Sequence, residues 1–429
     1  MGLKNRKLEN QQPNRRKFLK NTLIGGISLL CLPPKLLASG FPDSLIKYKI
    51  SLDTATRYFD GQNCFVHPRA GIVPMAGKNG LPRIVMAMTT LDLEGSDVFK
   101  AAYGIHTDDL GETWSSPTEI KNLGPRYEII DGQRRPVALS DFWPRWHNHG
   151  RVLLGTGHTV VYTPEWKVTN PRPRDTSYAV YEPDSGWGEW KKLEMPPLEK
   201  FRDCGAGSVQ RCDQPDGTIL LPVYFRAPGR GTTSSVTVVR CTFFDKKLQF
   251  LEQGNELHVD VPRGFGEPSL TRFNDQYFLT LRNDQQGYVS IGTDGLHFEE
   301  PRPWTFDNGE DLGNYNTQQH WVTHSDGLFL VYTRRGANND HVFRHRAPLF
   351  MAQVDPEKLT VIRETEQIIV PERGARLGNF GITDVSPHET WVTVSEWMQP
   401  RGVEMYGSDG SVFVARIHWD KPNKLFVDF

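Results

Sequence analysis

Thr107-Asp108-Asp109-Leu110-Gly111-Glu112-Thr113-Trp114 brings two aspartates, a glycine and a tryptophan together within eight residues. It follows a strand-like run at 101–106 and has the chemistry of a tight hairpin turn. The Asp109 carboxylate can accept backbone N–H bonds across the turn, and Gly111 relaxes the backbone there. Trp114 can then fold back over the hairpin as an apolar cover. A weaker echo, Thr293-Asp294-Gly295-Leu296-His297-Phe298, has Phe in place of Trp. Two related hairpins in one chain point to a repeated sheet unit.

Outward from these turns, helical periodicity is scarce. Short β-branched and aromatic runs recur at 83–89, 151–162, 218–224, 235–242, 276–281, 287–291, 328–333, 349–354 and 390–394, each bounded by Gly, Pro, Asn or Asp. So many short strands between turn signals predict an all-β sandwich, barrel or propeller. The 39 glycines and 30 prolines fit strands joined by frequent turns. No Pro/Gly/Ser-rich linker interrupts residues 41–429, which read as one domain. Hydrophobic content of 38% with 24% charged residues suits a soluble protein with a substantial core. The 50 basic and 51 acidic residues nearly cancel, which argues against nucleic acid as a partner.

Residues 1–40 read as a targeting segment. Asn14-Arg15-Arg16-Lys17-Phe18-Leu19-Lys20 is followed by an apolar run at 22–32 and by Leu37-Ala38-Ser39-Gly40. The run is too short to remain in a bilayer of roughly 30 Å as a spanning helix. The paired arginines resemble a twin-arginine signal, which implies export of a folded protein to the periplasm or beyond. Beyond this segment no apolar stretch reaches membrane-spanning length. Cys64, Cys204, Cys212 and Cys241 show no zinc-site spacing, and no disulfide follows from their order.

The hairpin at 107–114 resembles the Asp-box of the sialidase superfamily and its bacterial-neuraminidase-repeat relatives, with Asp109, Gly111 and Trp114 at the structural positions. That resemblance implies a β-propeller of six blades, rather than seven. It also implies a carboxylate clamp of three arginines. Arg69 in His67-Pro68-Arg69-Ala70-Gly71 stands where the first would be, Arg282 after Glu267-Pro268-Ser269-Leu270 where the second would be, and Arg346 is the candidate third, in competition with Arg334, Arg335 and Arg344. Asp97 has the spacing of the family's general acid/base, and Glu267 that of its glutamate. The family's nucleophilic tyrosine is matched by Phe380 in Gly378-Asn379-Phe380-Gly381, which has no hydroxyl to form a glycosyl-enzyme bond. Tyr315 or Tyr332 could substitute from another position.

Read on their own chemistry, the polar clusters suit an acidic sugar. Arginine forks bind carboxylates, imidazoles pass protons near neutrality, and aromatic faces pack on sugar rings. His147, His149 and His320 are candidate acid/base groups, and His158, Trp146 and Tyr315 candidate substrate contacts. His147 and His149 would share a face of a strand, but no third ligand accompanies them, so neither a metal nor a cofactor is expected. Arg282 ends an otherwise apolar strand and must find a buried carboxylate or a ligand; Glu267 is the candidate partner. The expectation is an exported glycoside hydrolase acting on an acidic or polar oligo- or polysaccharide. The alternatives are a lyase that eliminates across a uronate, with His147, His149 or His320 as base, and a non-catalytic glycan-binding propeller.

Overall fold

The structure is a computed structural model and describes residues 45–95, 97–169 and 172–426. The targeting segment expected over 1–40 lies outside the described residues. The remainder folds into six antiparallel sheets, the blades of a propeller. Blade I is built from Asn63–Val73, Arg83–Asp92, Val98–Thr107 and Thr118–Glu119, and blade II from Gln133–His147, Val152–Val161, Thr176–Glu182 and Gly186–Trp187. Blade III has an innermost edge in two short pieces, Cys204–Gly205 and Cys212–Asp213, followed by Ile219–Phe225, Ser235–Phe244 and Lys247–Gln253. Blade IV comprises Gly266–Phe273, Gln276–Arg282, Tyr288–Gly292 and Arg302–Pro303. Blade V comprises His320–His324, Gly327–Tyr332, Leu349–Asp355 and Thr360–Val361.

Blade VI closes the ring. Gly381–Ser386, Glu389–Ser395 and Ser411–Trp419 come from the end of the chain, and Tyr48–Arg57 from its beginning supplies the outer strand, with Tyr48 opposite Trp419. Pairing of the two chain ends leaves the propeller no open seam between its first and last blades.

The apolar core is a set of wedges between neighbouring blades. Ile72 and Ile84 of blade I meet Trp391 and Val412 of blade VI; Phe278 of blade IV meets Trp321 and Leu330 of blade V. The blades bury their faces against their neighbours, and one end of the axis, where the innermost strands converge, is left to polar groups.

The turn at 107–114 belongs to one such wedge. Asp109 accepts from the Thr113 backbone N–H at 2.9 Å and from the Thr113 hydroxyl at 2.7 Å, and Gly111 sits at φ 84°. Asp294 accepts from the Leu296 and His297 backbone N–H groups in the same manner. Trp114 does more than cover its own hairpin: its ring lies 5.8 Å from Trp391 of blade VI, so the turn ties two blades together. Cys64, Cys204, Cys212 and Cys241 are all free thiols.

A repeated backbone feature prepares the axis. On or just before its innermost strand, each blade holds one non-glycine residue in the left-handed region: His67 (φ 57°), Asp141 (54°), Ser208 (54°), Glu267 (42°), Asn316 (57°) and Asn379 (61°). At His67, Asp141 and Glu267 the strand register slips, so a bulge turns that side chain out of the alternating pattern. Left-handed non-glycine residues cost about 1–3 kcal/mol each and gather at functional sites.

Trp391 is fully buried and donates its indole N–H to Glu389, whereas Trp114 is only half-buried. Trp391→Ala should therefore destabilise the protein by about 3–5 kcal/mol, and Trp114→Ala by clearly less, as read from urea unfolding midpoints. Equal losses would contradict the wedge description.

Candidate functional site

A cavity of about 530 Å³ opens at one end of the axis, lined by the left-handed residues Asp141, Glu267 and Asn379 and by loops from all six blades. Eight arginines line it (Arg172, Arg174, Arg263, Arg282, Arg344, Arg346, Arg376 and Arg401) against five carboxylates (Glu94, Asp97, Asp141, Glu267 and Asp284). Burial and the charges of Arg282 and Arg376 hold Arg346 well below the usual guanidinium range; burial and Arg344 push Arg376 down to about 10. These cations are short of counter-charge, which is the electrostatic signature of an anion site.

Asp141 anchors the floor. Its carboxylate accepts from the Ser208 hydroxyl at 2.5 Å and the Asn379 amide at 3.1 Å. Arg69 and His67 approach it at 3.6 Å and His158 at 3.5 Å. Burial alone would raise its pKa, but the surrounding charges, Arg69 among them, and the Ser208 hydrogen bond hold it far below the carboxylate range. The two imidazoles respond the other way: burial pushes His158 down to about 3 and His67 to about 4, so both are neutral at pH 7. His158 Nδ1 lies 2.9 Å from the Tyr224 hydroxyl, and the Arg174 guanidinium sits 4.4 Å over the Tyr224 ring. Burial raises the Tyr224 pKa above its ordinary value.

The carboxylates on the walls are paired. Asp97, in the loop between the second and third strands of blade I, meets Arg172 at 3.1 Å. Burial raises its pKa, but the charge and hydrogen bond of Arg172 outweigh this and keep it low. Glu267 is pinned through Oε1 by Arg282, which also reaches Asp284 at 3.2 Å. Glu267 Oε2 and Arg346 Nε are buried with no protein partner, one acceptor and one donor left for a ligand.

Asp97, Glu267, Arg282, Arg346 and His158 thus share one cavity, and Arg282 meets Glu267 as their sequence chemistry required. Other candidates lie elsewhere. Arg69 is fully buried and spends its guanidinium on Ser208 at 2.6 Å and the Phe380 carbonyl at 3.2 Å. Two residues past the left-handed His67, it faces Asp141 with its remaining nitrogen and is not among the cavity-lining residues, which include Arg282 and Arg346. His320 is buried between Trp143 and Phe380, 2.5 Å from Ser269 Oγ, and helps fill the axis. Trp146, His147 and His149 line a different cavity, of about 930 Å³, where His147 meets Asp213 at 3.0 Å. The expected grouping of His147, His149 and His320 with Asp97 and Glu267 is therefore corrected: His147 ends the strand Gln133–His147 and His149 sits in the turn after it, both at the second cavity, while His320 opens the innermost strand of blade V and is packed between Trp143 and Phe380. Tyr315 lies outside the cavity lining, bonded to His345 with Arg335 over its ring, and Phe380 is wholly buried, so neither presents a hydroxyl to the site. Among the described residues no cluster of three or more His, Cys, Asp or Glu is placed to hold a metal, and no helix is long and apolar enough to cross a membrane.

Asp141, His67 and Tyr224 were not anticipated from sequence. The available signal was Asp141 itself, a carboxylate inside the apolar run Val137-Ala138-Leu139-Ser140-Asp141-Phe142-Trp143, which must find partners just as Arg282 must.

No protein-family model matches this sequence, and no curated protein does. Solved structures do. A protein of unknown function from Dyadobacter fermentans superposes with TM-score 0.56 at 14% identity, covering 86% of this chain and 99% of that one. A NanB sialidase from Streptococcus pneumoniae gives 0.55 at 11%, covering 84% and 70%. The Trypanosoma rangeli sialidase bound to the inhibitor DANA gives 0.52 at 11%, covering 83% of this chain and 55% of the trypanosomal one. At such identities the likeness is one of fold: the chain has a six-bladed, sialidase-like propeller.

The neutral buried imidazoles make stability pH-dependent. Their folded pKa values lie below the unfolded 6.5, so from about pH 6.5 downward the unfolded chain binds protons that the native chain refuses. The urea midpoint should fall steadily from pH 7 to pH 4, each imidazole contributing up to about 1.4 kcal/mol per pH unit. His158→Gln should flatten that dependence; an unchanged slope would contradict the buried neutral state.

Proposed function

We propose that the protein hydrolyses glycosidic bonds of a carboxylate-bearing saccharide in the arginine-lined cavity. The observation that carries this reading is the excess of arginines over carboxylates around Glu267 and Asp97, with Arg346 and Arg376 short of counter-charge. Arg346 and Arg282 hold the sugar carboxylate, and Glu267 Oε2 accepts from a sugar hydroxyl. Asp97, ionised through Arg172, is a base for an attacking water rather than a resting acid. With Phe380 buried and without a hydroxyl, direct attack by water fits the site better than a covalent intermediate at that position. Twin-arginine export would put the enzyme in the periplasm or outside the cell, where such glycans are met.

A second reading, β-elimination from a uronate, is favoured by one observation: the neutral His158–Tyr224 pair stands beside arginines that would acidify the carbon next to the carboxylate. His158 then replaces His147, His149 and His320 as the histidine concerned.

The test is a panel of sialylated, uronate-containing and neutral glycans, followed for reducing-end release and for the ultraviolet absorbance of an unsaturated product. Release from acidic glycans without absorbance is expected. Asp97→Asn should lower kcat/KM by about 10²–10⁴-fold, and Arg346→Ala should raise KM by about 10–100-fold. Absorbance rising with release would establish elimination instead, and binding without release a non-catalytic propeller.

A further inference from the structure

We propose that the cavity binds two anionic groups of one saccharide at once, the first on Arg282 and Arg346 and the second on Arg344 and Arg376 beside the Phe343 ring. The substrate is then a saccharide with two acidic groups close together, and not one with a single carboxylate. The inference rests on the carboxylate reading above and adds to it a subsite and a substrate class.

The two pairs of arginines are held separately. Arg282 ends the second strand of blade IV and is answered by Glu267 and Asp284. Arg346, close enough to feel the Arg282 charge, is fixed through Nη2 on the carbonyl and side-chain oxygens of Asn316. Arg344 and Arg376 are organised around Phe343 instead. Both guanidinium carbons lie 5.0 Å from the centre of that ring, and Arg376 lies 4.3 Å from the centre of Trp397. Gln399 accepts from Arg376 Nη2 at 2.7 Å and donates to the Leu93 and Gly95 carbonyls at 3.0 Å. Those contacts tie Arg376 to the blade I loop that carries Asp97. The backbones of the two pairs nevertheless touch, because the Leu377 N–H donates to the Arg346 carbonyl at 2.6 Å. The subsites are therefore adjacent but distinct.

Charge and unmet hydrogen bonds call for the second anion. Among the described residues, Arg344, Arg346 and Arg376 have no carboxylate partner, and all three line the cavity. A single carboxylate offsets one of these three charges and leaves two repelling each other. Arg346 and Arg376 are each buried with an Nε that no protein atom accepts from, so each pair contains a donor in want of an acceptor. A guanidinium group resting on an aromatic ring keeps its N–H edges free for an oxyanion. Arg344 is exposed and Phe343 is 44% exposed, whereas Arg346 is buried, so the second pair stands nearer the solvent.

Calorimetric titration tests this with galacturonic acid, its disaccharide, the disaccharide with either carboxylate methyl-esterified, and galacturonic acid carrying a sulfate ester. A doubly charged probe should bind about 10–100-fold more tightly than its singly charged counterpart. A gain in the disaccharide places the two acids on neighbouring sugars; a gain in the sulfate ester places both on one. Arg376→Gln should bring that ratio close to one. Arg344→Gln, at an exposed position where folding is not at stake, should lower it, and Arg346→Ala should weaken singly and doubly charged probes alike. Equal affinities for both kinds of probe, or a gain that survives both glutamine substitutions, would overturn the second subsite and leave the carboxylate reading intact. Inorganic sulfate gives a readout that needs no fit to a sugar. At millimolar concentration it should raise the thermal unfolding midpoint, with part of the rise lost in Arg376→Gln and a further part in Arg346→Ala. A rise abolished by Arg346→Ala and untouched by Arg376→Gln would leave one anion site only. A rise identical in all three proteins, with no acidic probe bound, would sink the carboxylate reading itself.

Discussion

The structure depends on one buried negative charge. Asp141 sits at the axis where six innermost strands converge, and its carboxylate is met by side chains from blades I, II, III and VI: His67 and Arg69, His158, Ser208 and Asn379. An unpaired buried carboxylate is costly, and removing one partner of a buried set strands the others. The contacts therefore fix the relative positions of four blades at the point where apolar packing cannot, because the apolar wedges all lie between blades. The same charge holds Arg69 and orients His158, which in turn orients Tyr224. Fold and site share a single electrostatic centre.

Around it the propeller separates two tasks. The second and third strands of each blade are apolar and pack into the wedges. The innermost strands and the segments leading into them carry the six left-handed residues, and the loops and strand ends on the same side carry the arginines. One end of the axis thus gathers positive charge over a neutral phenol–imidazole pair, while the layer of Arg69, Trp143, His320 and Phe380 fills the axis below. A bound anion would complete the charge balance that the protein leaves open at Arg346 and Arg376.

This division explains what the sequence disclosed. Every run read as a strand from its β-branched and aromatic content falls on a second or third strand of a blade, where two-sided burial demands such residues. The innermost strands Gln133–His147, Gly266–Phe273 and His320–His324 escaped that reading because their axial residues interrupt the apolar pattern, and a bulge leaves no periodic trace. The sixfold recurrence was hidden because His67, Asp141, Ser208, Glu267, Asn316 and Asn379 share a backbone conformation and a place, not a side chain. Glu267 with Arg282 was legible, since an arginine closing an apolar strand needs a partner. Tyr224 was not: at the end of the strand Ile219–Phe225 it looks like any core aromatic, and only its neighbours His158 and Arg174 distinguish it.

The central claim is that the axial cavity is built for a carboxylate. Calorimetric titration at neutral pH with an acidic monosaccharide and with its methyl ester tests it most directly. The account predicts that the acid binds at the arginine-lined end, that added salt weakens it, and that esterification abolishes binding. Equal affinity for acid and ester, or binding of the acid undiminished by Arg346→Ala, would contradict it.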